Sequence, residues 1–453
     1  MSLRVDSRKV EPGDTFIAIR GLTEDGHKYI DAAIKNGATK IICEEGNYSA
    51  ETVIVPNAKK YLEEEVLKLY KGVLQDIKLV GITGTNGKTT TSFFVYELLN
   101  NLGLKTAVIG TIGFYVDDII IPTTNTTPGM LELYELFKEA KSKNCKCVVM
   151  EISSHALIQE RIKGLSFDVE GFSNLTEDHL DYHKTMKEYK NAKTKILDYL
   201  KNEGLIIINN DDEYADAFKT KRYITYGLSG EDLKINNFSL YEKYFNVNFT
   251  YENKNYFSKV NVPSDFNVYN YLMSVLIVNN LGFNIKDIIN VSSNLYLPKG
   301  RCESVKVGNG TAIVDFAHTP DALEKIISNY KTIAKGKVIT ITGCDGDRDK
   351  LKRKPMVKIA CSKSDYVIFT HVDPFNEDMN AIKEELLSYS DKSKSEFIDD
   401  RKEAIKKGLD MLESGDYLLI LGMGAETFQT IKGQKIPHSD LEEVLKYKKE
   451  NDK

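Results

Sequence analysis

Residues 77–99 constrain the fold more than any other stretch. An apolar run (Ile77, Leu79, Val80) leads into Gly81-Ile-Thr-Gly-Thr-Asn-Gly-Lys-Thr-Thr90 and then into an amphipathic segment carrying Phe94, Leu98 and Leu99. A strand that passes through a glycine turn into a helix is a grip for a nucleoside triphosphate. Glycines let backbone N–H groups close on phosphate oxygens, and the helix N-terminus adds positive potential. Lys88 supplies a charge, and a Thr hydroxyl can ligate Mg²⁺. The spacing departs from the common G-x-x-x-x-G-K-[ST] loop: residue 82 is Ile, and the available glycines are Gly81 and Gly84.

From that loop onward, strand and helix alternate. Strands are expected near 106–110, 146–152, 169–173 and 204–208, and helices near 130–142 and 186–200. The pattern argues for a mostly parallel sheet covered on both faces. Residues 234–262 alternate apolar and polar side chains, as an antiparallel patch does, and a helix is expected over 266–281, ending at Gly282. Pro298-Lys299-Gly300 reads as a hinge. Beyond it, strands near 311–315, 337–342, 366–370 and 417–421 predict a second open α/β domain, closed by a charged helical tail after Ser439. Before the loop, a Pro12-Gly13-Asp14 turn, strands at 15–19 and 40–43, and helices around 28–36 and 62–70 form a small unit. The expected division is therefore 1–76, 77–297 and 298–453.

A chain of 453 residues fits about three domains. Its net charge of -5 leaves no basic excess for nucleic acid. No apolar run is long enough to cross a membrane, and the first residues lack an apolar signal core. Cys145 and Cys147 stand too close for the usual zinc pair and read as buried thiols of a reduced, cytoplasmic protein.

Two further clusters sit where strands are expected to end. The first is Glu151-Ile-Ser-Ser-His155, whose carboxylate could face the phosphate loop and hold Mg²⁺. The second is Asn174-Leu-Thr-Glu-Asp-His179-Leu-Asp-Tyr-His183, with two histidines and three carboxylates in seven residues. Zinc is a weaker reading of His179 and His183, because the His-Glu-x-x-His pattern is absent and no thiolate lies nearby. Lys193, on the helix that follows, reads by itself as a solvated lysine.

Taken together, Thr83–Thr90, Glu151-x-Ser-Ser-His155 and Asn174-Leu-x-x-Asp-His-Leu-Asp-x-His183 resemble the ATP-dependent Mur ligases of peptidoglycan synthesis, in particular the branch that adds the third residue of the stem peptide. Shorter matches run along the chain: Asp6-Ser-Arg8, Asn125-Thr-Thr-Pro128, Phe266-Asn-Val-Tyr-Asn270, Gly300-Arg-x-Glu303, Asp315-Phe-Ala-His318 and Gly346-Asp-Arg-Asp349. The resemblance implies three α/β domains: a small uridine-binding one, a central ATPase with a P-loop-type, mostly parallel sheet, and a Rossmann-like C-terminal one. It implies ATP on Gly84, Thr85, Asn86, Gly87, Lys88, Thr89 and Thr90, with Asn267, Asn270, Arg301 and His318 meeting the nucleotide. It places Mg²⁺ at Thr89, Glu151, His179 and Lys193, the lysine being carbamylated. It makes Lys88, Glu151, His179 and Lys193 catalytic, and puts UDP-MurNAc-L-Ala-D-Glu on Ser7, Asn125, Thr126, Thr127, Ser153, Gln159 and Arg161. A monomer acting on small molecules is expected.

The resemblance weakens where the incoming amino acid should bind. The family's diaminopimelate-adding members carry Asp-Asn-Pro-Arg where this chain has Val372-Asp-Pro-Phe375, and Phe makes no bidentate ion pair. Diaminopimelate is therefore disfavoured. Lysine-adding members share Asp-Asn-Pro, so lysine is not selected either. Arg348 is a candidate for the α-carboxylate and Glu426 for an amino group, with Asp373 and Gly422 beside them. Only five residues precede Asp6, fewer than is usual in the family, so the first strand of the uridine-binding domain is expected to be missing. Two other readings remain. One is a paralogue that joins an amino acid or ammonia to another carboxylate, as folylpolyglutamate synthases do. The other is a non-catalytic nucleotide binder, disfavoured by the intact Lys88, Glu151, His179 and Lys193.

Overall fold

The computed structural model describes residues 2–21 and 24–451, which form two compact units. The first comprises 1–77 with 128–145 and 160–165. It holds a four-stranded parallel sheet whose strands Leu3–Arg4, Thr15–Ile17, Lys40–Cys43 and Glu51–Ile54 lie in chain order. Its core gathers Val10, Phe16, Ile30 and Ile41. The expected helix at 62–70 begins earlier, at Ala58, because the Asn57 side chain accepts from the Lys60 amide and caps it.

The second unit contains an eleven-stranded sheet and a six-stranded one. In the larger sheet the strand Lys78–Thr83 lies between Cys147–Glu151 and Phe167–Phe172, all parallel. Parallel strands end on the same side, so the phosphate loop, Glu151 and Ser173-Asn174 emerge together at the carboxyl edge. Both flanks of this sheet turn antiparallel. One is the expected patch, at 233–260; the other is a hairpin, Gly113–Val116 with Ile119–Ile121, that the alternation of strand and helix did not reveal. The helices Lys88–Asn101 and Phe266–Asn280 bury nearly continuous apolar surface beneath the sheet. The helix expected over 186–200 stops at Thr194 and tightens into a 3₁₀ turn, Lys195–Tyr199. Thr185 caps its start, its hydroxyl accepting from the Glu188 amide.

The smaller sheet places Gly310–Asp315, Tyr417–Leu421, Val338–Thr342 and Tyr366–Phe369 side by side and parallel. The loops after these four strands share one edge. Arg353, fully buried, holds two of them: it donates to the carboxylates of Glu377 and Glu385 and to the carbonyl of Asp345. Among the described residues no helix is long and apolar enough to cross a membrane.

Candidate active site

The phosphate loop depends on two glycines. Gly87 has φ +86°, and a Cβ there would stand 2.4 Å from Asn270 Oδ1; Gly84 has φ +145°, and its Cβ would stand 1.9 Å from Ser173 Oγ. The helix that follows has no side-chain cap, so its first amides remain open to an anion. Lys88 Nζ folds back onto the carbonyls of Gly84 and Thr85, each at 2.9 Å. Lys193, buried, donates to the same Gly84 oxygen at 2.7 Å. Two ammonium groups thus share one acceptor. Burial lowers the affinity of both for a proton, and the charge of Lys88 lowers that of Lys193 further, well below the usual lysine range.

Glu151 is buried at the end of its strand. Its carboxylate accepts from Thr89 Oγ1 at 2.8 Å, from the Thr111 amide at 2.7 Å and from Thr111 Oγ1 at 3.3 Å. Thr89 Oγ1 in turn accepts from Arg301 at 3.1 Å, and the Arg301 guanidinium lies 4.8 Å over the Phe316 ring. The adjacent hydroxyl and carboxylate are hard oxygen donors of the kind Mg²⁺ takes. Among the described residues no three His, Cys, Asp or Glu side chains converge as a metal cage. An ion here would therefore rely on few protein oxygens plus the phosphates, which suits Mg²⁺ and not structural zinc. Gly110 makes room for Glu151: a Cβ there would stand 2.1 Å from Oε1. Gly110→Ala is accordingly expected to leave the fold intact while displacing the carboxylate. The Mg²⁺ concentration for half-maximal ATP turnover should rise about tenfold or more, as for loss of a charge-assisted bond.

His179 and His183 both pack against His155. Their rings and that of His155 lie edge to face or tilted, with centroids 4.9 and 5.5 Å from His155. Burial, then the His155 and Lys193 charges, hold His183 down at about 4, and its Nε2 lies 2.9 Å from Ser154 Oγ. Burial holds His179 down at about 3, so it presents a neutral imidazole. Asp178, to which the sequence reading gave a place in the cluster but no role, is the charge between them and the C-terminal domain. Burial opposes its ionisation, yet His179, His318 and Lys352 hold it at about 2. Its Oδ2 is 3.3 Å from His179 and 4.0 Å from His318.

The buried His183 has a stability consequence. Its folded pKa lies below the unfolded 6.5, so its contribution is fully present above pH 6.5 and lost as pH falls toward 4. The urea midpoint is expected to drop across that window, and His183→Gln should flatten the drop.

Asn86 ties the loop to both of its neighbours. Its amide donates to Asn174 Oδ1 at 2.9 Å, and its side chain donates to Asp321 at 2.9 Å. Asn270 and Asn267 are hydrogen-bonded to each other at 3.0 Å, and Thr91 reaches Asn270 at 3.3 Å. Thr127 Oγ1 donates to the Glu151 carbonyl at 2.8 Å and accepts from the Ser153 amide at 2.9 Å, while Thr126 meets Thr111 at 3.1 Å. Asn125, Thr126, Thr127, Ser153 and Gln159 belong to the second unit, and Ser7 and Arg161 to the first. In the C-terminal domain Arg348 lies 4.8 Å over the Phe375 ring. Burial, then Asp373 and Asp345, raise Glu426 to about 7. Asp178, Asp321, Thr111 and Gly110 are the additions that sequence reasoning missed. Asp178 alone had a signal, its place in the histidine-rich segment.

Three family models match successive stretches of the chain: "Mur ligase family, catalytic domain" over 2–81, "Mur ligase middle domain" over 82–278 and "Mur ligase, glutamate ligase domain" over 300–424. The chain belongs to the Mur ligase family. Its three-domain α/β architecture is that of the family. A UDP-N-acetylmuramoyl-L-alanyl-D-glutamate--2,6-diaminopimelate ligase of Bacteroides fragilis is 40% identical, covering 98% of this chain and 93% of that protein. The enzyme of the same name from Clostridium botulinum is 36% identical, over 98% and 94%. A solved structure with that name aligns over 100% of this chain and 95% of its own, at 28% identity and a TM-score of 0.64.

Proposed function

We propose that this Mur ligase is an ATP-dependent acid–amino-acid ligase of the MurE type, lengthening UDP-MurNAc-L-Ala-D-Glu by one residue. The observation that carries the reading is that the phosphate loop, Glu151 and Lys193 meet at one strand edge, with Lys88 and Lys193 on a single carbonyl. An acid does not condense with an amine directly, because its oxygen is a poor leaving group. Transfer of the γ-phosphoryl group of ATP to the substrate carboxylate gives an acyl phosphate and ADP. The amine then attacks the carbonyl carbon, and inorganic phosphate leaves.

Each step asks something of these residues. Lys88 and the open helix amides offset the charge of the transferring phosphoryl group. Thr89 and Glu151 would hold Mg²⁺, which would screen the repulsion between carboxylate and phosphate. Lys193, its amine kept neutral by burial and by Lys88, adds to CO₂ to form a carbamate and releases a proton. The neutral amine would thereby become a carboxylate able to hold Mg²⁺, with the neutral His179 as a further donor. Arg301, His318, Asn267 and Asn270 would hold the nucleotide. Ser7, Asn125, Thr126, Thr127, Ser153, Gln159 and Arg161 would hold the UDP-dipeptide. Movement about 298–300, between the domains assigned to 77–297 and 298–453, would exclude water before the amine attacks.

The test is ADP formation that requires both the UDP-dipeptide and an amino acid. ADP formation with a folate or another non-uridine acid, and none with the UDP-dipeptide, would overturn the substrate assignment.

A further inference from the structure

The loops at the carboxyl edge of the smaller sheet, where open α/β sheets leave a crevice for ligands, have a definite charge pattern. The neighbouring strands Tyr417–Leu421, Val338–Thr342 and Tyr366–Phe369 are followed by loops carrying Glu426, Asp345 and Asp373. Asp373 accepts from the Thr430 amide, the charges of Asp373 and Asp345 both act on Glu426, and that of Asp345 acts on Asp373. Asp373 is only 9% exposed. None of the three acids has an ion-pair partner among the described residues; the nearby Lys435 instead lies 4.0 Å over the Phe428 ring.

Their positions are fixed by the backbone. The Gly346 amide donates to the Asp373 carbonyl at 2.8 Å, and a Cβ on Gly346 would stand 2.0 Å from the Pro374 carbonyl. Gln429 donates to the carbonyls of His371 and Val372, at 3.0 and 2.7 Å, and the Phe375 amide donates to the Thr430 carbonyl at 2.9 Å. The hairpin Phe428–Ile431 and Gln434–Pro437 thus pins the segment that bears Asp373.

Of the crevice's guanidinium groups, Arg353 is committed to Glu377 and Glu385, and Arg401 to Asp440. Arg348 is exposed, held over the Phe375 ring and without a carboxylate partner among the described residues. The crevice therefore offers one free guanidinium and three acids, with the Lys435 ammonium, turned onto the Phe428 ring, acting on Glu426 by its charge.

We propose that the amino acid joined here has a side chain ending in an ammonium group and no second carboxylate, as lysine and ornithine do. The proposal rests on the ligase reading above and names the substrate class of that site. Arg348 takes the α-carboxylate, and Asp373, Glu426 and Asp345 surround the side-chain ammonium. The α-amine is left free to attack. A second carboxylate, as in 2,6-diaminopimelate, would face acids with no free guanidinium to meet it. A neutral side chain would leave the negative charge of Asp373 and its two neighbouring acids unmatched by a cation of the substrate.

The test compares initial rates of ADP formation by the full chain with ATP, Mg²⁺ and UDP-MurNAc-L-Ala-D-Glu, supplying L-lysine, L-ornithine, meso-diaminopimelate or L-norleucine. The kcat/KM for lysine or ornithine is expected to exceed the other two by about 100-fold or more. Glu426→Gln should shrink the lysine-to-norleucine ratio by about tenfold or more while the KM values for ATP and the UDP-dipeptide hold. That ratio is measured within one sample, so it does not depend on how much of the variant folds. Diaminopimelate turnover equal to or above that of lysine, or an unmoved ratio in the variant, overturns the proposal and leaves the ligase reading standing. No ADP with any of the four overturns both.

Discussion

Lys193→Ala is expected to lose ligation by about 10³-fold or more, and short carboxylates such as acetate to restore part of it. Losing a positioned charge that acts on a transferring phosphoryl group costs about 10²–10³, and here a metal ligand would go with it. The argument starts from burial. A lysine with almost no exposed surface, one hydrogen bond to Gly84 and a second ammonium on the same oxygen is costly to protonate. Its neutral amine is the form that adds to CO₂, and the carbamate reverses the sign of its interaction with Lys88 from repulsion to attraction. Degassed, CO₂-free buffer should therefore lower wild-type activity, and bicarbonate should restore it in the wild type but not in Lys193→Ala. A ¹³C-carbamate resonance after labelling with ¹³CO₂ would report the modified lysine directly. Full activity in Lys193→Ala would remove the carbamate from the mechanism.

Lys88→Ala is the second large effect. Lys88 Nζ is held by two loop carbonyls, so it is already aimed along the phosphate loop and needs only a rotamer change to reach a phosphate. Its removal is expected to lower kcat for ADP formation by about 10²–10³. A second consequence follows from the shared Gly84 oxygen. Without the Lys88 charge, Lys193 binds a proton more tightly and its carbamate loses an attractive partner. The ¹³C-carbamate signal should therefore fall in Lys88→Ala at a fixed bicarbonate concentration. An unchanged signal would mean that the two lysines are not electrostatically coupled, whatever happens to the rate.

Much of the site could be read from local sequence, because its parts are contiguous. Gly84 to Thr90 form one turn, and a turn of that kind requires glycine where φ is positive or where another chain comes close; the Gly87 approach to Asn270 is such a place. Glu151 was placed by its position at the end of an apolar run. The helix boundaries at Asn57–Ala58 and Thr194 shifted because a side-chain cap and a 3₁₀ turn decided them, not the apolar period. The hairpins at 113–121 and 428–437 escaped notice, since short two-stranded pairs leave little periodicity. Asp178 stood in a cluster the sequence marked, but its role, like that of Asp321, depends on a partner more than a hundred residues away, His318 for one and Asn86 for the other.

From its residues alone, the chain determined that it grips a nucleotide with a strand–loop–helix turn and that its sheets are mostly parallel. Both follow from interactions spanning a few residues: glycine backbone freedom, and apolar periodicity set by the pleat and the helical turn. Only the tertiary structure decided that two lysines share one carbonyl, that Gly110 leaves space for the Glu151 carboxylate, and that Arg348 lies over Phe375 beside a group of unneutralised acids. These depend on which strands become neighbours. Proximity between residues far apart in the chain, and the desolvation that gives a buried charge its chemistry, exist only once the chain has folded.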